Sequence, residues 1–248
     1  MLLAVDIGNT TITFGVFEED KIICTFKLLT HKALNTDNYM YLLESNLHEF
    51  IGKIDLMVVC SVVPALDDIF KAIAIKINAR HKEITIEDKG DLKIMLDDEK
   101  ELGSDILVGV LMAVKKYKAP LMVIDLGTAI TIASVNVKKE MLGGVIMPGM
   151  ATSYQALFNK AAKLNDVEIE TPKNVIGKNT KESLQSGMTY GIASLLDGMI
   201  KKIKKEMGEA KVIITGGNAL DIIGLLEEKV IYDENLLLEG LLMLSKKL

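Results

Sequence analysis

The chain has 248 residues, 49% hydrophobic and 25% charged, with a formal net charge of −5. That hydrophobic share excludes wholesale disorder, and two cysteines, Cys24 and Cys60, are too few to staple a fold of this length. The mildly acidic balance lacks the clustered Lys and Arg excess of a nucleic-acid surface.

Residues 1–17 are apolar but carry Asp6 and Asn9 and no basic leader, so they read as neither signal peptide nor membrane span. No membrane role is expected, and two thiols without a disulfide pattern fit a reducing, cytoplasmic compartment. Residues 2–17 read instead as strand, tight turn, strand, and residues 21–28 as a third strand. A helix is expected over 36–50, capped by Thr36 or Asp37. Residues 56–60 form a nearly continuous apolar run, the pattern of a strand covered on both faces. Helices over 69–78 and 104–117 flank a short strand at 83–86. Residues 121–135 repeat the strand, turn, strand pattern. A strand over 140–150 closes into a Gly/Pro loop, and a helix follows over 152–162. One long helix or two, interrupted by Gly187, Gly191 and Gly198, cover 180–204. Residues 211–217 form a buried strand ending in glycines, and 235–248 a terminal helix. Alternating strands and helices predict α/β layers.

Two segments share one grammar. Asp6-Ile7-Gly8-Asn9-Thr10 and Asp125-Leu126-Gly127-Thr128 each end an apolar strand in Asp, then place Gly and Thr in the turn. The two aspartates lie 119 residues apart, close to half the chain. That is an internal duplication signal, with a boundary at 116–120 and domains of 1–117 and 118–248. Glycine lets backbone N–H groups approach an anion closely. A carboxylate among them would repel phosphate unless a cation intervened, so Asp6 is a candidate for Mg²⁺, with Asp125 able to serve the same cluster. Thr215-Gly216-Gly217 after another buried strand adds a third turn. Neither a Walker-type Gly-Lys-Ser/Thr loop nor a GxGxxG fingerprint is present.

The combination resembles the actin-like ATPase superfamily, which implies a duplicated, ribonuclease H-like α/β fold with a central nucleotide cleft between two related domains. The order of Asp6-Ile7-Gly8-Asn9-Thr10, Ser61-Val62-Val63-Pro64, Gly103-Ser104-Asp105, Asp125-Leu126-Gly127-Thr128-Ala129, the 143–149 Gly-Gly-x-Ile-x-Pro-Gly loop and Asn179-Thr180 resembles type III pantothenate kinases almost end to end. That family phosphorylates pantothenate with ATP, the first step toward coenzyme A. The resemblance implies nucleotide and phosphate contacts at Asp6, Gly8, Asn9, Thr10, Gly127 and Thr128. It implies Mg²⁺ at Asp6, a monovalent cation (K⁺ or NH₄⁺) near Asp125, and Asp105 as catalytic base. Substrate contacts would fall to Gly103, Ser104 and Thr180, the last reaching the partner's pocket in a homodimer.

Chemistry supports Asp105 in that role, because transfer to an alcohol needs a carboxylate that orients the acceptor hydroxyl. The same residue at a helix start also has a purely structural use, stabilising the helix dipole. The family pattern continues Gly-x-Asp-Arg, whereas this chain has Ile106, which offers no guanidinium fork to the pantothenate carboxylate. The family's upstream tyrosine and proline are likewise absent from 94–100, where Lys100 is a nearby cation. Three readings stay open on the residues alone: a rearranged pantothenate pocket, a different alcohol acceptor, or a nucleotide-binding protein without transfer. Thr180 could equally cap its helix. His31, His48 and His81 have no zinc spacing and are expected in loops or on the surface.

Overall fold

The computed structural model describes residues 1–160 and 167–246. The chain divides into two compact units, residues 1–92 with 97–112 and 235–248, and residues 93–96 with 113–234. This differs from the expected 1–117 and 118–248 division at three places: the short 93–96 segment, the boundary itself, which falls at 112/113, and the C-terminal helix.

In the first unit, strands β1 (Leu2–Ile7), β2 (Thr11–Glu18) and β3 (Lys21–Leu29) form an antiparallel meander. Helix α1 (Thr36–Leu47) leads to β4 (Leu56–Ser61), which pairs parallel with β1, and α2 (Pro64–Lys76) leads to β5 (Arg80–Glu83), parallel with β4. The sheet order is β3-β2-β1-β4-β5. The apolar runs of β1 and β4 have a simple cause: both of their faces are covered. Leu3, Val5, Ile7, Met57 and Val59 point into one cluster with Tyr39, Leu43, Leu66, Phe70 and Ile73 from α1 and α2. Leu2, Ala4, Leu56, Val58 and Cys60 point into another, with Leu238, Leu241 and Leu244. The edge strand β3 alternates exposed and half-buried residues, and its Phe26 stacks on Phe14 with ring centroids 4.5 Å apart.

Helix α3 (Ser104–Tyr117) begins where expected. Its Val108 packs with α7 (Leu236–Ser245), and a Cβ on Gly240 would stand 2.6 Å from Val108 Cγ1, so the two helices approach too closely for any side chain there. That burial draws the end of the chain back to the first sheet. A split by sequence midpoint misses it, because the partner strands lie two hundred residues upstream.

The second unit repeats the pattern. It contains β6 (Lys93–Ile94), β7 (Leu121–Leu126), β8 (Ala129–Val135), β9 (Glu140–Pro148), α4 (Met150–Lys160), α5 (Thr180–Met207), β10 (Lys211–Thr215), α6 (Leu220–Ile223) and β11 (Ile231–Tyr232). The order is β11-β10-β7-β8-β9-β6. β7, β8 and β9 are antiparallel and β7, β10 and β11 parallel, the senses found in the first sheet. Met122, Ile124, Ile130 and Ile132 pack against Ala193, Leu196 and Ile200, a stripe at helical spacing on α5. That packing keeps α5 continuous through Gly187, Gly191 and Gly198, where added Cβ atoms would meet nothing. Three interior glycines cost roughly 1 kcal/mol each, less than the buried stripe returns.

Several expected boundaries shift. α1 is capped by Asn35, whose side chain accepts from Asn38 N, rather than by Thr36 or Asp37. α2 begins at Pro64, whose fixed φ suits the first helical position. The short strand lies at 80–83, not 83–86, and the two-residue strands β6 and β11 carry too little pattern to be seen in sequence. Parts of the expected 152–162 and 235–248 helices lie outside the described residues. His31 and His48 are exposed, but His81 sits half-buried on β5 with Nε2 unpartnered, and burial together with Lys71 lowers its pKa. Cys60 is fully buried and Cys24 half-buried. No helix among the described residues is long and apolar enough to cross a membrane.

Candidate active site

In the first unit, strand register places Asp6 opposite Thr13 on β2 and Cys60 on β4. Cys60 Sγ donates to Asp6 Oδ1 at 3.3 Å. Burial, then the carboxylates of Asp6 and Asp105, push the thiol well above its ordinary range, so it stays a protonated donor. The turn itself is tight, with Gly8 N donating to Thr11 O at 3.0 Å. The chain beyond β3 braces it: Thr30 Oγ1 donates to Gly8 O at 2.7 Å, and Thr30 N to Thr10 O at 2.9 Å. Asn9 and Thr10 are exposed, and Lys32 Nζ reaches Asn9 Oδ1 at 3.3 Å.

Asp105 stands in the first turn of α3. It is half-buried, and that desolvation raises its pKa against the lowering effect of its helix N–H bonds, including Ile106 N to Oδ1 at 2.7 Å. Gly103 leaves room for this carboxylate, since a Cβ there would lie 2.5 Å from Asp105 Oδ1. The Ser104 hydroxyl is engaged inside the protein. It accepts from Ser61 N at 3.1 Å and donates to Ser61 O at 3.0 Å. Ser61 Oγ in turn donates to Asp67 Oδ1 at 2.6 Å and accepts from Val63 N at 3.1 Å. Asp6, Cys60 and Asp105 therefore form one group at the C-terminal ends of β1 and β4. Lys100 is exposed on a short 3-10 turn between Glu99 and Glu101.

The second unit holds the matching turn. Asp125 lies opposite Thr131 and Thr215. Gly127 N donates to Ala129 O at 3.1 Å, Gly149 N to Thr128 O at 2.9 Å, and Thr152 Oγ1 to Thr128 O at 2.7 Å. Gly149 and Gly216 make room for this turn: their Cβ atoms would fall 2.2 Å from Gly127 O and 2.4 Å from Asp125 Oδ1. Gly216 also has φ +99°, which L side chains rarely adopt. Thr180 is exposed as the first residue of α5, and no hydrogen bond ties it to the 125–128 turn among the described residues. Its helix is capped by Asn179, whose Oδ1 accepts from Glu182 N at 2.9 Å.

Sequence reasoning missed Cys60, Thr30 and Thr152 as parts of these sites, and saw Ser61 only as part of a motif. Cys60 sits on a strand that reads as plain core. The hydroxyls of Thr30 and Thr152 reach their turns only through the pairing of the meander strands, which no local pattern displays.

The solved structures most similar in shape include a Baf family protein from Campylobacter jejuni, with a TM-score of 0.59, 21% identity, and coverage of 99% of this chain and 98% of that one. An activator of 2-hydroxyisocaproyl-CoA dehydratase from Clostridium difficile, solved with ADPNP, has a TM-score of 0.53, 11% identity, and coverage of 99% and 94%. At these identities the likeness shows the fold alone, that of the actin-like ATPases. Sequence relatives are nearer. A type III pantothenate kinase of Persephonella marina is 41% identical over 249 residues, covering 97% of this chain and 96% of its own length. One from Exiguobacterium sibiricum is 35% identical over 251 residues, covering 100% and 99%. The family model for type III pantothenate kinase matches residues 2–202. With that span and those identities, the chain belongs to the type III pantothenate kinase family.

Proposed function

We propose that the chain phosphorylates pantothenate from ATP with Asp105 as the base that takes the acceptor hydroxyl proton. ATP-dependent phosphorylation of pantothenate is the reaction of its family. The observation that carries the residue assignment is the half-buried Asp105 carboxylate, grouped with Asp6 and Cys60 and accommodated by Gly103. The acceptor oxygen attacks the γ-phosphorus, the bond to the β-bridging oxygen breaks, and the proton passes to Asp105. Burial raises that carboxyl's pKa, which strengthens it as a base. Backbone donors of the 6–10 turn, with Asn9 and Thr10, are assigned to the phosphates, and Gly127 and Thr128 to the second phosphate contact. Their tight, glycine-bearing geometry supports this. The nucleotide seen in the Clostridium difficile activator is consistent with it.

No cluster of three His, Cys, Asp or Glu side chains poised for a metal exists among the described residues. A Mg²⁺ site built from one carboxylate, phosphates and water fits that donor set. Asp6 would hold that ion, which neutralises phosphate charge when bound, and Asp125 would lie by a monovalent cation. We read the two sheets, alike in order and strand sense, as a duplicated ribonuclease H-like core. A homodimer and a cytoplasmic site of action belong to the same reading, with exposed Thr180 offered to a second copy.

Ile106 favours a pantothenate pocket that holds the acceptor carboxylate without an arginine fork; the only arginine in the chain, Arg80, opens β5. Asp105→Asn tests the base. It should abolish turnover and leave ATP binding intact, while retained full turnover would remove Asp105 from the role. Above the raised pKa the ionised carboxylate costs folding free energy, a cost absent at acid pH where both states are protonated. The asparagine variant should therefore melt higher than wild type at neutral pH.

A further inference from the structure

We infer that Ser104 is a positioning residue for the transfer: its hydroxyl, clamped to the Ser61 backbone, indexes the Asp105 carboxylate to the end of β4. The inference rests on Asp105 being the base. Its warrant is the two-way bond between Ser104 and Ser61, at 3.1 Å and 3.0 Å. A helix N-terminus ordinarily has unsatisfied N–H groups and frays. Here the first helical side chain instead behaves as a further strand partner for β4, taking its terminal N–H and C=O together.

The strand end is itself fixed. Ser61 pairs with Ile7, Val62 N donates to Ile7 O at 3.0 Å, and the Ser61 hydroxyl bonds Asp67 in the first turn of α2. One residue back, Cys60 donates to Asp6. The dipeptide 60–61 thus fastens Asp6 through its first side chain and the segment bearing Asp105 through its second backbone unit. Two carboxylates from distant stretches of sequence are referred to one strand end. Neither the Ser104 nor the Ser61 hydroxyl needs to touch substrate for this to matter, because a base displaced by about 1 Å can lose about a hundredfold in rate.

The experiment compares Ser104→Ala, Ser104→Thr and Asp105→Asn as full-length protein, measuring kcat, both KM values and the pH dependence of kcat with Mg²⁺-ATP and pantothenate. Ser104→Ala should lower kcat by about tenfold or more, with the ATP KM little changed. Freed of its anchor, Asp105 gains water, its pKa falls, and the acid limb moves to lower pH. Ser104→Thr keeps the hydroxyl and should recover most of kcat and the wild-type limb. Wild-type kcat in Ser104→Ala overturns the inference. So does a loss of kcat with an unmoved limb that threonine does not relieve, since that is a general packing defect. Should the alanine variant fail to fold, Ser104→Cys keeps a weaker donor and should show an intermediate loss of kcat; wild-type kcat there overturns the inference equally. Full turnover in Asp105→Asn brings down the base and its positioning together. An inactive Asp105→Asn beside a fully active Ser104→Ala brings down the positioning alone.

Discussion

Gly103→Ala separates the placement of Asp105 from the integrity of the fold. The new Cβ would stand 2.5 Å from Asp105 Oδ1, and ordinary van der Waals contact begins at 3.4 Å, so the carboxylate must retreat by about 0.9 Å. The next neighbour, Val62 Cγ1 at 3.7 Å, is already at an ordinary distance, and the atom that must yield is the end of a side chain. The backbone therefore stays, and replacing glycine by alanine restricts the unfolded chain, worth about 0.4–1 kcal/mol in favour of folding. Catalysis answers differently. A shift close to 1 Å predicts a loss of about a hundredfold in kcat, or about 2.7 kcal/mol of transition-state stabilisation. Steady-state kinetics and a thermal melt on the same preparation read both effects. Wild-type kcat in Gly103→Ala would show that the Asp105 placement does not depend on Gly103, as would a loss of kcat matched by a loss of folded protein.

Gly216→Ala should behave in the opposite way. Its φ of +99° and the approach of its Cβ to Leu126 N at 2.6 Å set the clash against backbone, so a urea melt should show about 1–3 kcal/mol of destabilisation with weakened ATP binding; unchanged stability contradicts the reading. Ile106→Arg should move the acid limb of kcat/KM to lower pH, since a guanidinium beside Asp105 offsets the burial that raises its pKa; an unmoved limb would show that burial alone governs the carboxyl. Iodoacetamide at pH 8 should label native Cys24 well before Cys60, whose thiol is buried and raised by Asp6 and Asp105. Peptide mass spectrometry resolves the two sites, and equal native rates would count against a protonated Cys60 donor.

The two Asp-x-Gly turns were legible in sequence because their requirements are local: a buried strand, a carboxylate at its end, and glycine where the chain doubles back. The same holds for α3, whose first residue matches expectation. What stayed hidden depends on register and return. Cys60 looks like one more apolar residue in a run from Leu56, and becomes a partner of Asp6 only once β4 lies parallel to β1 in the observed register. Ser104 resembles an ordinary helix-start serine until Ser61 is brought beside it. The return of α7 to the first sheet follows from the close approach at Gly240, a contact between residues more than a hundred positions apart. Gly103 is legible as part of a motif, but its physical reason, room for the Asp105 carboxylate, lies in the folded approach of the two residues.

Incubating the purified protein with ATP, Mg²⁺, K⁺ and pantothenate and following the products by mass spectrometry tests the transfer directly. Phosphopantothenate should appear with one ADP per turnover and should vanish in Asp105→Asn. ATP bound without any phosphopantothenate in the wild-type protein would rule out pantothenate as the acceptor.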